Sequence, residues 1–430
     1  MYPDMSGNQH LSQTSVATNL YVAAALRDAT ESHIHLHPSQ GKVAVAVNNG
    51  RIVAAGLLGE VEHAIDSGPV KRIDLPDCLL LPGLVNTHTH LDLTDIGPRP
   101  YTGNFIDWVK MVMANRPTDP KAIHAAVNHG LKLSRQAGTL TIGDIAGSLH
   151  AIQARLKPEQ DPPPPGYSWL ECFGFGDEAL AARPDLKQLD PIKHWIEIQY
   201  QPHAPYSAGI PLFEDAGLVG LELASTHLAE THEELEFVRD ATGPFAELLK
   251  GMGKWHDSIK PTGLTPIEYL KPVFELAYMW VLAHCNYVTD SDIEYLANKG
   301  FLSVAYCPRA SDYFGHRNHR YRDMIEAGVN VSLGTDSIIC HQSLSILDEM
   351  RHLYHRDRTD PHLLLKMATT NGANALTMID IDTTLSRNAS PGLIAIPYDH
   401  DPKNTKLDPL QQILAQDQAP HVKTLELPQR

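Results

Sequence analysis

Two histidines, His88 and His90, stand two positions apart in the stretch PGLVNTHTH, where a run of apolar residues ends. In a β-strand, residues i and i+2 point to the same face, so both imidazoles would project together from a strand end. Neutral imidazole is a ligand that Zn²⁺ and Fe²⁺ accept, at distances of about 2.0–2.2 Å. The spacing indicates either half of a metal site or two capped, solvated polar residues.

Further polar side chains stand where later apolar runs end. They are His203 in QPHAPYS, His227 and Glu230 in STHLAE, His284 in LAHCN, and Asp336 in LGTDS. If these runs are parallel strands of one barrel, their carboxyl ends meet at one rim, where the chemistry of such barrels is found. The imidazoles and the Asp336 carboxylate would then converge, which predicts a divalent metal site.

A second group of alternating histidines tests how much the spacing alone can say. His33, His35 and His37 also share one face of a strand, in SHIHLHP. They lie in the N-terminal β region and have no carboxylate at a matching position. We interpret them as an exposed strand face without a metal role.

The elements that must position the strand-end residues follow from the pattern of apolar runs. After residues 19–75, which indicate short strands and a hairpin at Asn48–Gly50, eight strand-like runs alternate with helical stretches. This pattern predicts an α/β fold, a (β/α)8 TIM barrel, with a small β-sandwich domain built from both chain termini. The predicted boundaries are 1–78 and 383–430 for the two parts of the small domain, and 79–382 for the catalytic barrel.

The composition of the chain disfavours some classes of binding partner. The net charge of −16 disfavours nucleic acid and anionic membranes, and no apolar run is long enough to span a bilayer. The polar first residues do not resemble a signal peptide, and the five scattered cysteines suit reduced thiols rather than a disulfide framework. We expect a cytoplasmic homo-oligomer that acts on a small molecule.

At this point the sequence resembles the amidohydrolase superfamily, in its aminohydrolase and chlorohydrolase branch. The matching motifs are PGLVNTHTH, HAPYS, HLAET, LAHC, CPRAS and LGTDS, in family order from Pro82 to Ser337. TTNGANAL, at Thr369–Leu376, is similar to the last barrel helix of the family. The chain departs from the family after that helix, because SPGLIAIPYD replaces the usual Gly-Lys-x-Ala-Asp segment.

The resemblance implies a role for each strand-end residue. The ligands of one divalent metal, zinc or alternatively iron, would be His88, His90, His227 and Asp336. Asp336 and His284 would orient the attacking water and take its proton, Glu230 would shuttle protons, and His203 would contact the substrate. Two-metal relatives carry a bridging Lys or Glu at the end of strand four, and IQYQPHAPY has neither, which favours one metal.

The resemblance also implies a reaction, hydrolytic deamination of an amino-substituted, purine-like heterocycle. Asp92, together with Phe105 and Trp108, is most similar to the branch with the aminodeoxyfutalosine deaminases of menaquinone biosynthesis. Trp108 would bind substrate or serve as a core residue, as would Phe105 and Tyr206. Arg309 would pair with a substrate carboxylate or form a structural ion pair.

Three alternatives remain open from the sequence. A guanine, pterin or other cyclic-amidine deaminase, or a chlorohydrolase, would use the same mononuclear site. A scaffold without catalysis is less consistent with a chain that has lost no ligand. The roles of His316 and His319 follow from no motif.

Overall fold

The structure is a computed structural model, and it describes residues 17–30, 35–36, 40–159, 162–189, 195–218, 223–276, 279–378, 382–399 and 408–428. His33 and His37 of the alternating group lie outside these ranges. His35 falls in a two-residue strand that pairs with the end of the first strand.

The strands account for both sheet regions predicted from the sequence. In chain order they are β1 Thr18–Arg27, β2 His35–Leu36, β3 Val43–Asn48, β4 Arg51–Leu57, β5 Val70–Pro82, β6 Leu84–Thr89, β7 Thr139–Ala146, β8 Gly166–Cys172, β9 Ile196–Pro202, β10 Leu223–Leu228, β11 Met279–His284, β12 Leu302–Tyr306, β13 Asn330–Leu333, β14 Leu393–Pro397 and β15 Lys423–Glu426.

Both ends of the chain contribute to one sheet. Seven strands lie in the order β15-β14-β5-β1-β3-β4, with β2 beside β1. The predicted hairpin joins β3 to β4, and Asn49 and Gly50 at its turn have φ of 51° and 67°. Two positive φ values are what a two-residue hairpin with the twist of its strands requires. The joint contribution of both termini is therefore confirmed, while a two-sheet sandwich stays a prediction.

The remaining strands form two four-stranded parallel sheets, β6-β7-β8-β9 and β10-β11-β12-β13. Helices follow most strands, and this alternation of strand and helix gives an α/β fold with parallel sheets. Burial matches the near-continuous apolar runs of these strands: Trp169 on β8 and Trp280 on β11 are 0% exposed.

The helices pack against the sheets or against one another. They are α1 Leu58–Ala64, α2 Phe105–Asn115, α3 Pro120–Gln136, α4 Leu149–Leu156, α5 Asp177–Ala182, α6 Ile210–Leu218, α7 His232–Asp240, α8 Gly243–Gly251, α9 Pro266–Leu276, α10 Asp290–Ala297, α11 Pro308–Phe314, α12 Tyr321–Glu326, α13 Ile346–Asp357, α14 Pro361–Ala368, α15 Thr370–Ala375 and α16 Pro409–Ala415. Within the described ranges, none of them combines the length and the apolar character needed to cross a bilayer.

One helical stretch of the sequence differs from its prediction. The amphipathic pattern over residues 233–250 predicts a single helix, and the structure has α7 and α8 instead. Ala241 ends α7 in the left-handed conformation, and Gly243 has a φ of 85° before Pro244. A proline cannot donate to the preceding turn, so the chain begins a new helix there.

Candidate active site

Four side chains at or near strand ends meet in one buried cluster. His88 lies near the end of β6 and His90 directly follows that strand, and their Nε2 atoms lie 3.9 Å and 3.5 Å from Oδ1 of Asp336, which follows β13. His227, at the end of β10, brings its Nε2 atom to 3.3 Å from Nε2 of His90. The structure therefore brings together the four residues that the resemblance implies as ligands of one metal, and each lies at or just after the carboxyl end of its strand.

The chemistry of this cluster fits a cation. In the described structure the buried Nδ1 and Nε2 atoms of His88 have no hydrogen-bond partner, and neither has Nδ1 of His90. Nδ1 of His227 donates to the carbonyl oxygen of His203 at 2.9 Å, which leaves Nε2 as the free ligand atom. Burial lowers the pKa of all three imidazoles, which favours the neutral form that a metal ligand requires.

The backbone around the cluster is constrained. Backbone N–H groups of Thr335 and Asp336 both donate to the carbonyl oxygen of His88 at 3.0 Å, which ties the end of β13 to the end of β6. Asp336 and His284 have φ of 58° and 72°, in the left-handed region that non-glycine residues rarely adopt. Such conformations concentrate at functional sites, where the surrounding structure holds them.

Glu230 and His284 form a second polar pair next to the cluster. Oε1 of Glu230 lies 3.7 Å from Nε2 of His284, and both side chains are almost completely buried. Burial, together with the nearby carboxylate of Asp336, raises the pKa of Glu230 well above its usual range. Burial also lowers the pKa of the His284 imidazole. A carboxyl group that can hold a proton at neutral pH is what a general acid requires.

Side chains also hold the backbone of Glu230 in place. The carboxylate of Glu234 accepts the backbone N–H groups of Ala229 and Glu230, each at 2.8 Å. On the other side, Nδ2 of Asn286 donates to the carbonyl oxygen of Glu230 at 3.0 Å, and the hydroxyl of Ser311 donates to Oδ1 of Asn286 at 2.8 Å. Both backbone groups of Glu230 are thus fixed by side chains from other elements.

A cavity of about 1030 Å³ opens from the cluster. His203 lines it, with Nδ1 at 2.7 Å from the hydroxyl of Ser207, and burial lowers the pKa of its imidazole to about 3. Trp108 and Tyr206 also line the cavity, and Tyr206 stacks on Phe245 at a ring distance of 3.7 Å. His203 and Trp108 thus line the same cavity, and their contact with substrate stays a prediction.

Arg309 is committed to a structural network. Its Nε atom donates to Glu349 at 2.7 Å, one terminal nitrogen donates to the hydroxyl of Ser343, and the other donates to the backbone carbonyl oxygen of Ser343. Arg309 is not among the residues that line the described cavity. Of the two roles that the sequence left open, the geometry favours the ion pair over a substrate carboxylate.

The two histidines without a predicted role, His316 and His319, form hydrogen bonds near His284 and Tyr287. Nε2 of His319 donates to the carbonyl oxygen of His284 at 2.8 Å, and His319 stacks on Tyr306. His316 is hydrogen-bonded through Nδ1 to the hydroxyl of Tyr287 at 2.8 Å. The contact of His319 fixes the residue whose φ is positive.

Sequence reasoning missed an ionic group in the cavity wall. Arg116, which follows α2, lies 3.0 Å from Oδ2 of Asp92 and 2.7 Å from Oε2 of Glu171. Oε1 of Glu171 lies 3.7 Å from Nε2 of His203. The signal for Glu171 was present, since it is a single acidic residue near the end of an apolar strand of the barrel. Its partner Arg116 has no such mark.

Comparison with known proteins finds a matching family and similar sequences. The sequence model of the amidohydrolase family matches residues 79–381. A 5-methylthioadenosine/S-adenosylhomocysteine deaminase of Pelotomaculum thermopropionicum is 27% identical over 366 residues, 79% of this chain and 76% of the relative. A deaminase of the same name from Pyrococcus abyssi is 25% identical over 338 residues, 74% of each chain.

Solved structures are similar in fold. Helicobacter pylori aminofutalosine deaminase superposes with a TM-score of 0.76 at 19% identity, over 94% of this chain and 97% of the other. A zinc-bound adenosine deaminase from Xanthomonas campestris has a TM-score of 0.68 at 18% identity, over 92% and 90%. At these identities the likeness concerns the fold alone.

Proposed function

Since the chain belongs to the amidohydrolase family, we propose that it is a metal-dependent hydrolase that deaminates an adenosine-like nucleoside and releases ammonia. The observation that carries this proposal is the buried carboxyl group of Glu230, 3.7 Å from His284 and beside the histidine and aspartate cluster. The names of the curated relatives support the substrate class, because both are deaminases of adenosine derivatives.

One divalent metal, zinc in our proposal and iron as the alternative, would be held by His88, His90, His227 and Asp336. When bound, it supplies Lewis-acid activation of a water molecule at neutral pH. The unpartnered buried nitrogens of His88 support this assignment. Imidazole and carboxylate ligands suit both metals, and the zinc in the related adenosine deaminase structure favours zinc.

The side chains would then divide the proton transfers. Asp336 and His284 orient the attacking water and accept its proton. Glu230 carries a proton to the ring nitrogen beside the reacting carbon, so that negative charge does not build up on the ring. His203 contacts the ring from the end of β9, and Trp108 closes one wall of the cavity. The proton taken from the water passes to the amino group, which leaves as ammonia when its C–N bond breaks, and the new hydroxyl gives its proton to Glu230 as it becomes the ring carbonyl.

We further propose that the two parallel sheets close into one (β/α)8 barrel spanning residues 79–382, with the terminal strands as a small β-sandwich. Contacts at both seams support closure. The backbone N–H of His227 donates to the carbonyl oxygen of His203 at 2.9 Å, and Thr89 forms a parallel bridge with Asp336. A cytoplasmic location and a homo-oligomeric state stay predictions from the sequence.

An ammonia-release assay tests the reaction. The panel comprises adenosine, 5′-methylthioadenosine, S-adenosylhomocysteine, aminodeoxyfutalosine, guanine and a pterin amine, with chloride release from a chlorotriazine measured alongside. We expect turnover of at least one adenosine derivative at kcat/KM of about 10⁴ M⁻¹ s⁻¹ or more. Turnover of guanine, the pterin or the chlorotriazine alone would replace the proposal by the corresponding alternative. Turnover of aminodeoxyfutalosine would support a place in menaquinone biosynthesis.

A further inference from the structure

The outer part of the cavity is lined by apolar side chains on two facing helices. Val109, Val112 and Met113 come from α2, and Leu248 and Leu249 come from α8. We name this region the α2–α8 arm. The same cavity contains the metal-ligand cluster, so the arm is continuous with the proposed reaction site.

Exposed apolar side chains concentrate along this cavity. Six large hydrophobic residues are exposed in the described ranges, and three of them line the cavity: Met113 at 59%, Phe173 at 52% and Met252 at 42%. A surface hydrophobic cluster at the opening of a binding cavity marks a place where ligand covers apolar area.

The inner wall is unfavourable for an anionic group. Arg116 has its guanidinium between Asp92 and Glu171, so two buried carboxylates share one cation. Gly147 makes room for that guanidinium, because a side chain there would collide with it. The exposed Lys254 is the other lysine or arginine among the cavity-lining residues of the described chain.

The direction of a bound nucleoside follows from the reaction. The ring carbon that carries the amino group must face the cluster of His88, His90, His227 and Asp336. The sugar is attached on the far side of the ring, so its 5′ position points outward, into the arm. A volume of about 1030 Å³ lies at the upper end of the range of about 300–1,000 Å³ for small-molecule sites, which leaves room for a long substituent.

We propose that the α2–α8 arm is a subsite for an uncharged apolar substituent at the 5′ position, longer than methylthio, and that it disfavours a carboxylate or amino-acid tail. This inference rests on the proposed nucleoside deaminase activity. It separates the substrates that occur in the names of the relatives, because S-adenosylhomocysteine has a zwitterionic tail and methylthioadenosine has none.

A substrate series measures the subsite. kcat/KM is determined for adenosine and for its 5′-methylthio, 5′-propylthio and 5′-butylthio derivatives, with S-adenosylhomocysteine as the charged counterpart of the butylthio compound. Burying one methylene contributes about 0.8 kcal/mol, so we expect kcat/KM to rise about fourfold per added methylene. S-adenosylhomocysteine should fall at least tenfold below the butylthio compound. A flat series, or S-adenosylhomocysteine as the better substrate, would overturn the proposal.

Three variants, one of them a control, locate the effect. Met113→Glu places a charge on the arm at an exposed position that tolerates it, and the ratio of kcat/KM for butylthio to adenosine should fall at least tenfold. Leu264→Glu is the control, because Leu264 is also exposed, at 40%, and does not line the cavity. Lys254→Gln tests the rival: a tenfold loss confined to S-adenosylhomocysteine would show an anion subsite instead.

The affinity of the protein for the same series, measured by titration calorimetry, separates this inference from the proposed reaction. If no nucleoside releases ammonia, the proposed function fails. An increase of binding affinity with chain length would then still support the α2–α8 arm as a subsite. Equal affinity of all four uncharged compounds would refute the subsite, whatever the activity.

Discussion

The carboxylate of Glu234 accepts the backbone N–H of Glu230 at 2.8 Å, and its second oxygen accepts that of Ala229, whose φ is 50°. Glu234 is 0% exposed, and its backbone N–H donates to the hydroxyl of Thr231, the N-cap of α7, at 3.1 Å. It therefore fixes the loop from which Glu230 reaches the cavity. This relation makes Glu234 a positioning residue for the proposed proton transfer.

Glu234→Gln should lower kcat more than it changes KM. The amide turns one acceptor into a donor that faces a backbone N–H, so the loop bearing Glu230 shifts. We expect kcat, assayed at a temperature well below the melting temperature, to fall about tenfold to a hundredfold. The metal content should be unchanged. Glu236→Gln, on the same helix, is the matched control. A lower melting temperature with unchanged kcat would leave Glu234 with a role in stability only.

Glu230→Gln preserves the shape of the side chain but cannot transfer a proton. Positioned acid–base groups contribute about 10²–10⁴ in rate, so we expect kcat to fall by that factor or more. Metal content and the binding of substrate should remain. Steady-state kinetics and metal analysis of the same preparation decide this, and a near-wild-type kcat would exclude Glu230 from the mechanism.

His88→Ala or Asp336→Ala should abolish activity and tight metal binding together. Both side chains are buried in the cluster. In the described structure, no lysine or arginine pairs with their ligand atoms. His129→Ala is the control, because its side chain is 50% exposed and contacts only Asp95 among the described ion pairs. Elemental analysis should give one metal per chain. Two metals that are both needed for activity would contradict the mononuclear site.

Arg309→Met should destabilise the protein without a specific effect on substrate binding. Burial raises the pKa of Glu349 to about 7 even though Arg309 lowers it. Without the guanidinium the carboxylate is buried alone, and we expect a loss of about 3–5 kcal/mol in the free energy of unfolding. The loss should be larger at pH 8, where Glu349 is ionised, than at pH 6. Urea unfolding at both pH values measures it, and a double variant with Glu349→Leu should recover most of it.

His319 should contribute to acid sensitivity of the metal-free protein. Burial lowers its pKa from 6.5 to about 4. Between these values the unfolded chain is protonated and the folded one is not, so stability falls as the pH falls from 6.5 toward 4. His319→Gln keeps a donor for the carbonyl oxygen of His284 and removes this titration. Its unfolding free energy should depend on pH less steeply, by up to about 1.4 kcal/mol per pH unit.

The sequence predicted the parts of the site that follow from strand periodicity. His88 and His90 share a strand face, and His203, His227 and Asp336 end apolar strands, so their meeting at one rim required only the parallel order of the strands. The strand order itself is local, since each of these strands pairs with its neighbour along the chain.

Contacts that depend on a returning segment were beyond the sequence. Arg116, directly after α2, contacts Glu171 on β8, which is distant in the sequence. Gly147 leaves space for the Arg116 guanidinium. Arg309 could be read in two ways, because its partner Glu349 lies on α13, where an amphipathic helix gives no sign of an inward carboxylate. Gly243 and Pro244 indicate the break between α7 and α8. The helical spacing of apolar residues continues across this break and therefore gives no sign of it.

β5 and β6 meet at Gly83 with no turn between them, so the strand that ends in His88 and His90 is the direct continuation of the terminal sheet. A side chain at Gly83 would collide with Leu140 and with the backbone oxygen of Pro391, just before β14. β14 in turn pairs with the last residues of β5. A chain cut before β14 would keep every proposed metal ligand and lose the strand that pairs with the last residues of β5, directly before the strand that carries His88.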